Sequence, residues 1–108
     1  MKVSNMISSR GHKIANQFII TGTETHVDYR EVETGDVDCY NVEYFQSYNS
    51  VIVKKLYKGF KPKITLDINK WDYSKTTGKY RNQFLNETKK ETQAKIASGE
   101  YILIDLNG

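Results

Sequence analysis

The sequence predicts an α+β domain: an antiparallel β-sheet with one long helix, from the C-terminal half of the chain, packed on one face, and a closing C-terminal strand. Three observations predict it. Up to Trp71, apolar residues recur mostly at every second position within short aromatic segments; after Thr77 they recur at every third and fourth. Turn residues punctuate the first part at short intervals, as hairpins require. Gly99 ends the helical pattern just before the apolar run Tyr101-Ile102-Leu103-Ile104-Asp105-Leu106. A chain of 108 residues has the length of a single domain, residues 1–108.

Each element follows from its own residues. Positions 3–7 read as a short first strand, and Ser8 to Lys13 as a turn in which Gly11 is free to take positive φ. Positions 14–21 read as a strand closed by Gly22. Positions 24–33 alternate as a half-solvated strand, Thr34-Gly35-Asp36 as a turn, and 37–45 as the returning strand of a β-hairpin. A turn or bulge at 46–49 leads to a strand over 50–57, with Ile52 and Leu56 on one face and Val51 and Val53 on the other. The loop Lys58-Gly59-Phe60-Lys61 precedes Pro62, which suits the start of a strand over 63–68.

The helix starts at Thr76 or Thr77, or as early as Ser74, all three hydroxyl residues fit to cap it. It places Tyr80, Phe84, Leu85, Thr88, Thr92 and Ile96 on one face. It runs about 22 residues, roughly 33 Å, to Gly99, with Glu91 and Lys95 as an i,i+4 pair. Gly78 near its start is costly for a helix; it would let another backbone or a ligand approach closely, although a frayed helix end also tolerates glycine.

Composition excludes several roles. The lone Cys39 forms no intrachain disulfide and fits a reducing, cytoplasmic compartment. No apolar run approaches the ~20 residues of a membrane span. His12, His26 and Cys39 lie at no metal-ligand spacing. Cys39 sits in a strand-like run where an inert thiol is the common outcome, and the close acids Asp36 and Asp38 belong to a turn. With no phosphate-binding glycine loop, the expected protein is not an enzyme and carries neither metal nor cofactor.

Charge is unevenly distributed. From Glu24 to Glu43 seven acidic residues face only Arg30, whereas from Lys54 to Lys95 twelve basic residues outnumber four acidic ones. Two candidate surfaces follow. The first is basic and aromatic: Lys54, Lys55, Lys58, Phe60, Lys61 and Lys63 around one loop, and Trp71, Tyr73, Lys75, Lys79 and Arg81 around the helix start. Cations beside rings suit a phosphate backbone with stacked bases, single strands above all. The second is the acidic hairpin, Asp28, Glu31, Glu33, Asp36 and Asp38, which could enter a basic groove by imitating phosphate charge.

The blocks Ala15-Asn16-Gln17-Phe18-Ile19-Ile20, Phe45-Gln46-Ser47-Tyr48-Asn49-Ser50 and Trp71-Asp72-Tyr73-Ser74 running into Lys79-Tyr80-Arg81-Asn82-Gln83-Phe84-Leu85 resemble those of small bacteriophage and prophage proteins. The resemblance implies a phage-encoded accessory protein acting in the cytoplasm of an infected bacterium. By analogy it would engage and inhibit a host nucleic-acid-handling or defence protein, an anti-CRISPR-type inhibitor of a CRISPR effector or other defence nuclease being the sharpest version. The alternatives are a nucleic-acid-binding module that uses the basic, aromatic face and, third, a sponge for an anionic nucleotide.

Overall fold

The computed structural model describes residues 1–27 and 37–108. Six strands form one sheet in chain order: β1 (Lys2–Ile7), β2 (Lys13–Val27), β3 (Val37–Ser47), β4 (Ser50–Tyr57), β5 (Pro62–Asp67) and β6 (Ile102–Ile104). β1 to β5 pair antiparallel, and β6 joins the edge parallel to β5. Between β5 and β6 lie α1 (Lys75–Leu85) and α2 (Lys89–Ser98).

This corrects the expected architecture twice. The sheet is mixed, because α1 and α2 carry the chain from the end of β5 back to the level of its start, and a strand setting out from there pairs parallel. The single long helix is instead two short ones. Asn86 takes a left-handed conformation (φ 54°) that ends α1. Thr88 then starts α2 with a capping box: its Oγ1 accepts from Glu91 N at 3.2 Å, and Thr88 N donates to Glu91 Oε1 at 3.2 Å. Glu91 is thus spent on the cap, and Lys95 pairs with Glu87 at 2.9 Å rather than with Glu91.

The strands hold three further corrections. Gly22 does not end a strand; it sits inside β2 opposite Val42, where a Cβ would come within 3.0 Å of Met1 Cγ. A bulge opposite Phe45 and Gln46 lets the neighbours Ile52 and Val53 both reach full burial, although simple alternation would separate them. The closing strand is only three residues long and lies at the edge, with Ile102 and Ile104 largely exposed. Of the expected hairpin, pairing is described out to Val27 opposite Val37. Its turn, with Asp28, Glu31, Glu33 and Asp36, lies outside the described residues.

One apolar row crosses the sheet in register: Ile19 opposite Phe45, Phe45 opposite Val53, Val53 opposite Leu66, and Leu66 opposite Leu103. Phe84 of α1 joins this core with its ring centroid 5.8 Å from that of Phe45. Trp71, Tyr80, Leu85 and Ile96 pack around it, half-buried. Lys55, beside Val53 on β4, donates to the Phe84 carbonyl at 2.7 Å, fastening the last turn of α1 to the sheet. At the far end of α1, Thr77 and Ser47 share a buried hydroxyl hydrogen bond of 2.8 Å.

The two-helix reading has a direct consequence. Replacing Thr88 by Ala removes the side-chain half of the α2 cap and is expected to lower stability by ~1 kcal/mol. Urea unfolding of the two proteins measures the difference. A single continuous helix would leave Thr88 mid-helix, where alanine is the better residue, and the same change would raise stability instead.

Candidate functional site

The turn from Ile68 to Ser74 delivers the chain to α1 and builds a groove of about 590 Å³ lined by Asp72, Tyr73, Ser74, Lys75, Gly78, Lys79, Arg81, Asn82 and Lys89. Ser74 caps the helix, its Oγ accepting from Thr77 N at 3.1 Å. The first turn of α1 holds no acidic residue, so nothing on the helix itself neutralises the partial positive charge of its N-terminus. Lys75 and Lys79, one turn apart and both exposed, rise from that end.

Arg81 forms part of the lining, but its side chain is only 1% exposed. Helical side chains lean toward the N-terminus, and this one lies beneath the first turn. Nη1 donates to the Trp71 carbonyl at 2.6 Å and reaches Asp72 Oδ1 at 3.4 Å, while Nη2 donates to Asn82 Oδ1 at 3.0 Å. The guanidinium lies 5.3 Å from the centre of the Trp71 ring, and Nε has no partner. Gly78 faces this guanidinium: a Cβ there would meet Nη2 at 3.6 Å, an ordinary contact. The close approach expected at Gly78 is therefore absent: Arg81 is its neighbour, at a distance that leaves room for a Cβ.

Asp72 is the single carboxylate among the lining residues. Its Oδ2 holds Lys89 of α2 at 2.8 Å while its Oδ1 faces Arg81. Burial alone would raise its carboxyl, but hydrogen bonds and charge from Lys89 and Arg81 outweigh that and keep it below the ordinary carboxylate value. Tyr73 is 45% exposed, with Lys70 Nζ 4.9 Å from its ring centre.

The expected basic, aromatic face divides on this structure. Tyr73, Lys75, Lys79 and Arg81 share the groove, with Trp71 as the surface against which Arg81 is stacked and not an open platform. Arg81 is buried, contrary to its expected place on an exposed face, because Trp71 and Asp72 before the helix and Asn82 within it supply acceptors that hold its guanidinium inward.

The Lys54–Lys63 group does not join them. Lys54 is paired with Glu24 at 2.6 Å. Lys55 is half-buried against Glu43 and the Phe84 ring; burial pushes its ammonium down, and the charges of Glu43 and Glu87 offset part of that. Lys58 lies 5.1 Å from the Tyr40 ring centre, and Lys61 reaches Glu100 at 3.9 Å. Lys63 is exposed opposite Leu56, and Phe60 is fully exposed at the loop tip. Of the acidic surface, Asp38 is described and is exposed. Lys89 and Asp72 were missed by sequence reasoning, although Thr88-x-x-Glu91 marks the helix start that brings Lys89 beside the groove.

A second polar cluster has the composition of an acid–base centre. The Glu87 side chain, 3% exposed, accepts from Tyr101 OH at 2.5 Å, Thr92 Oγ1 at 2.5 Å and Lys95 Nζ at 2.9 Å. Each of these side chains is committed to Glu87, so the cluster joins the α1–α2 turn to α2 and to the start of β6. Burial would raise the Glu87 carboxyl, but the hydrogen bonds from Thr92, Tyr101 and Lys95 hold it below the usual range. Burial and the Glu87 carboxylate push the Tyr101 phenol up to about 12.

Cys39 is exposed and pairs in register with Thr25, while His26 pairs with Asp38. Among the described residues no group of three or more His, Cys, Asp or Glu is placed to hold a metal ion. Among them, too, no helix is long and apolar enough to cross a membrane.

Residues 1–100 match a protein family, and the chain belongs to it: DUF8033, a family of unknown function. No curated protein and no solved structure matches the chain.

The Glu87 cluster sets an acid limit on stability. A carboxyl whose folded value is depressed contributes fully above its unfolded value, near 4.3, and the contribution is lost as pH falls through the lower folded value. Glu87→Gln is expected to cost about 1–3 kcal/mol at pH 7 and to flatten the fall of Tm below pH 5. Thermal melts of both proteins across that range read the two slopes. At Gly78, alanine is expected to add ~0.5–1 kcal/mol, because the helix gains and the Cβ meets no obstacle; urea unfolding measures it.

Proposed function

We propose that this chain is a non-enzymatic binding protein that takes phosphate groups of a nucleic acid or nucleotide into the groove at the start of α1, in the cytoplasm. One observation carries the reading: Lys75, Lys79, Arg81 and Lys89 line a single groove in which Asp72 is the only acidic lining residue, at a helix N-terminus. Arg81 is fixed before any ligand arrives, so little side-chain freedom is lost on binding. The exposed ring of Tyr73 offers a face for a base, a contact that tolerates any sequence.

A protein partner is the second reading, favoured by a different observation. Thr23 to Val27 pair only with β3, and Val37 to Tyr40 pair only with β2. Among the described residues this ribbon therefore extends past β1 and β4, with Asp38 exposed on it. The phage resemblance favours a host nucleic-acid-handling or defence protein as the target, inhibited by the acidic ribbon. Reversing Asp28, Glu31, Asp36 and Asp38 to lysine would then abolish capture of that target and leave the groove intact.

The first reading is tested by fluorescence polarisation with labelled single- and double-stranded oligonucleotides and nucleotides at low salt. Binding is expected, and K75E/K79E is expected to weaken it more than about tenfold and to reduce the log–log salt slope by roughly 1.5. Absence of binding to every probe at low salt overturns it.

A further inference from the structure

The groove carries more detail than its net charge. Arg81 and Lys89 come from different helices, yet both close on the two oxygens of one group, the Asp72 carboxylate, at 3.4 and 2.8 Å. Lys75 and Lys79 stand over the same cavity one helical turn apart. Four cations thus line one groove, and two of them are gathered on a single carboxylate.

Among the described residues, the lysines of β4 and β5 do not extend them into a track. Lys54 and Lys55 are engaged by Glu24, Glu43 and the end of α1, and Lys63 falls opposite Leu56 on β5. Ser74 Oγ satisfies the Thr77 N–H, so the N–H groups of Lys75 and Thr76 remain at the helix start as donors with no intrahelical acceptor. Arg81, 99% withdrawn from solvent and lining the same groove, keeps Nε without a partner. The lysines and the helix start above this buried, fixed guanidinium suit the oxygens of a single phosphate, the guanidinium acting through its charge and not by contact.

We infer that the groove receives one terminal phosphate, a phosphomonoester at the end of an oligonucleotide or on a nucleotide, with the adjoining base against Tyr73. The inference rests on the phosphate-binding reading above and narrows it. An internal phosphodiester brings one negative charge per nucleotide and spreads the next ones along the strand. A monoester brings a charge of about −1.5 to −2 at pH 7 to one place. Asp72 is the intramolecular competitor, since it already occupies Arg81 and Lys89.

The test is isothermal titration calorimetry of the full chain with tetranucleotides of one sequence, carrying a 5′-phosphate, a 3′-phosphate or neither, and with the matching nucleoside monophosphate. At least one phosphorylated end is expected to bind about tenfold or more tighter than the unphosphorylated strand, the worth of one charge-assisted contact. Lys89→Gln, an exposed position, is expected to erase that preference, and Asp72→Asn, which keeps the shape and removes the competing charge, to tighten binding of the phosphorylated probes. The monophosphate response separates the two sources: tight binding assigns the site to free nucleotides, and weak binding beside a tight phosphorylated strand assigns it to strand ends. Equal affinity for phosphorylated and unphosphorylated strands overturns the inference and leaves phosphate binding standing. Silence with every probe overturns both.

Discussion

The contact between Phe84 and the apolar row of the sheet decides where everything else lies. Ile19, Phe45, Val53, Leu66 and Leu103 come from five strands and form the row because register puts them side by side. Phe84 is the residue through which α1 enters that core, 8% exposed against fully buried Phe45. Once it is seated, the last turn of α1 stands over β4, where Lys55 meets its carbonyl, and the first turn stands over Ser47 at the end of β3. The helix start, and the groove with it, is therefore aimed by apolar packing some two turns away. Truncating Phe84 would cost the several kcal/mol typical of a buried ring and would also release the groove from its position.

Within the groove, Arg81 turns the scaffold into a charged floor. Burying a guanidinium is unfavourable unless acceptors replace water, and here Trp71 O, Asn82 Oδ1 and Asp72 Oδ1 do so. The three acceptors belong to the turn before α1 and to α1 itself, so the charge is placed by local structure and not by the long-range sheet. Lys89 completes the lining only because the chain breaks between Leu85 and Lys89 and redirects α2. Had the helix continued straight through that point, Lys89 would stand about a turn further along the α1 axis, away from Asp72.

Much of the sheet was legible in the sequence because period-two alternation and turn residues are local signals. Pro62 opens β5 as its chemistry demands, and Gly99 ends α2 with a positive φ. What was not legible depended on partners far off in sequence. The bulge that buries both Ile52 and Val53 is a property of the β3–β4 pair, and Gly22 reads as a stop until Met1 is known to lie across it. The helix break is the instructive case. Thr88 and Glu91 spell a helix start, but they fall inside an apolar period running from Tyr80 to Ile96, and that longer pattern masks the shorter one. The basic face split for a related reason: lysine counts are visible in a sequence, whereas the glutamates that engage Lys54 and Lys55 are brought to them only by strand register.

The parallel strand β6 shows what the break in the helix does for the sheet. A chain leaving β5 has to return along the sheet before Ile102 can pair with Thr65. A single straight helix of about 22 residues would rise roughly 33 Å, longer than the eight-residue β4 or the six-residue β5 that the crossover must span. Folding the crossover at Asn86 shortens it, and the exposed carbonyls and N–H groups created at the fold are met by Asn86 and by the Thr88–Glu91 box. Glu87, between the two caps, then gathers Tyr101, Thr92 and Lys95, so the residue immediately before β6 is hydrogen-bonded to the turn that allowed the return. The same short segment closes the sheet and delivers Lys89 to Asp72, which makes the edge of the fold and the charge of the groove consequences of one break in one helix.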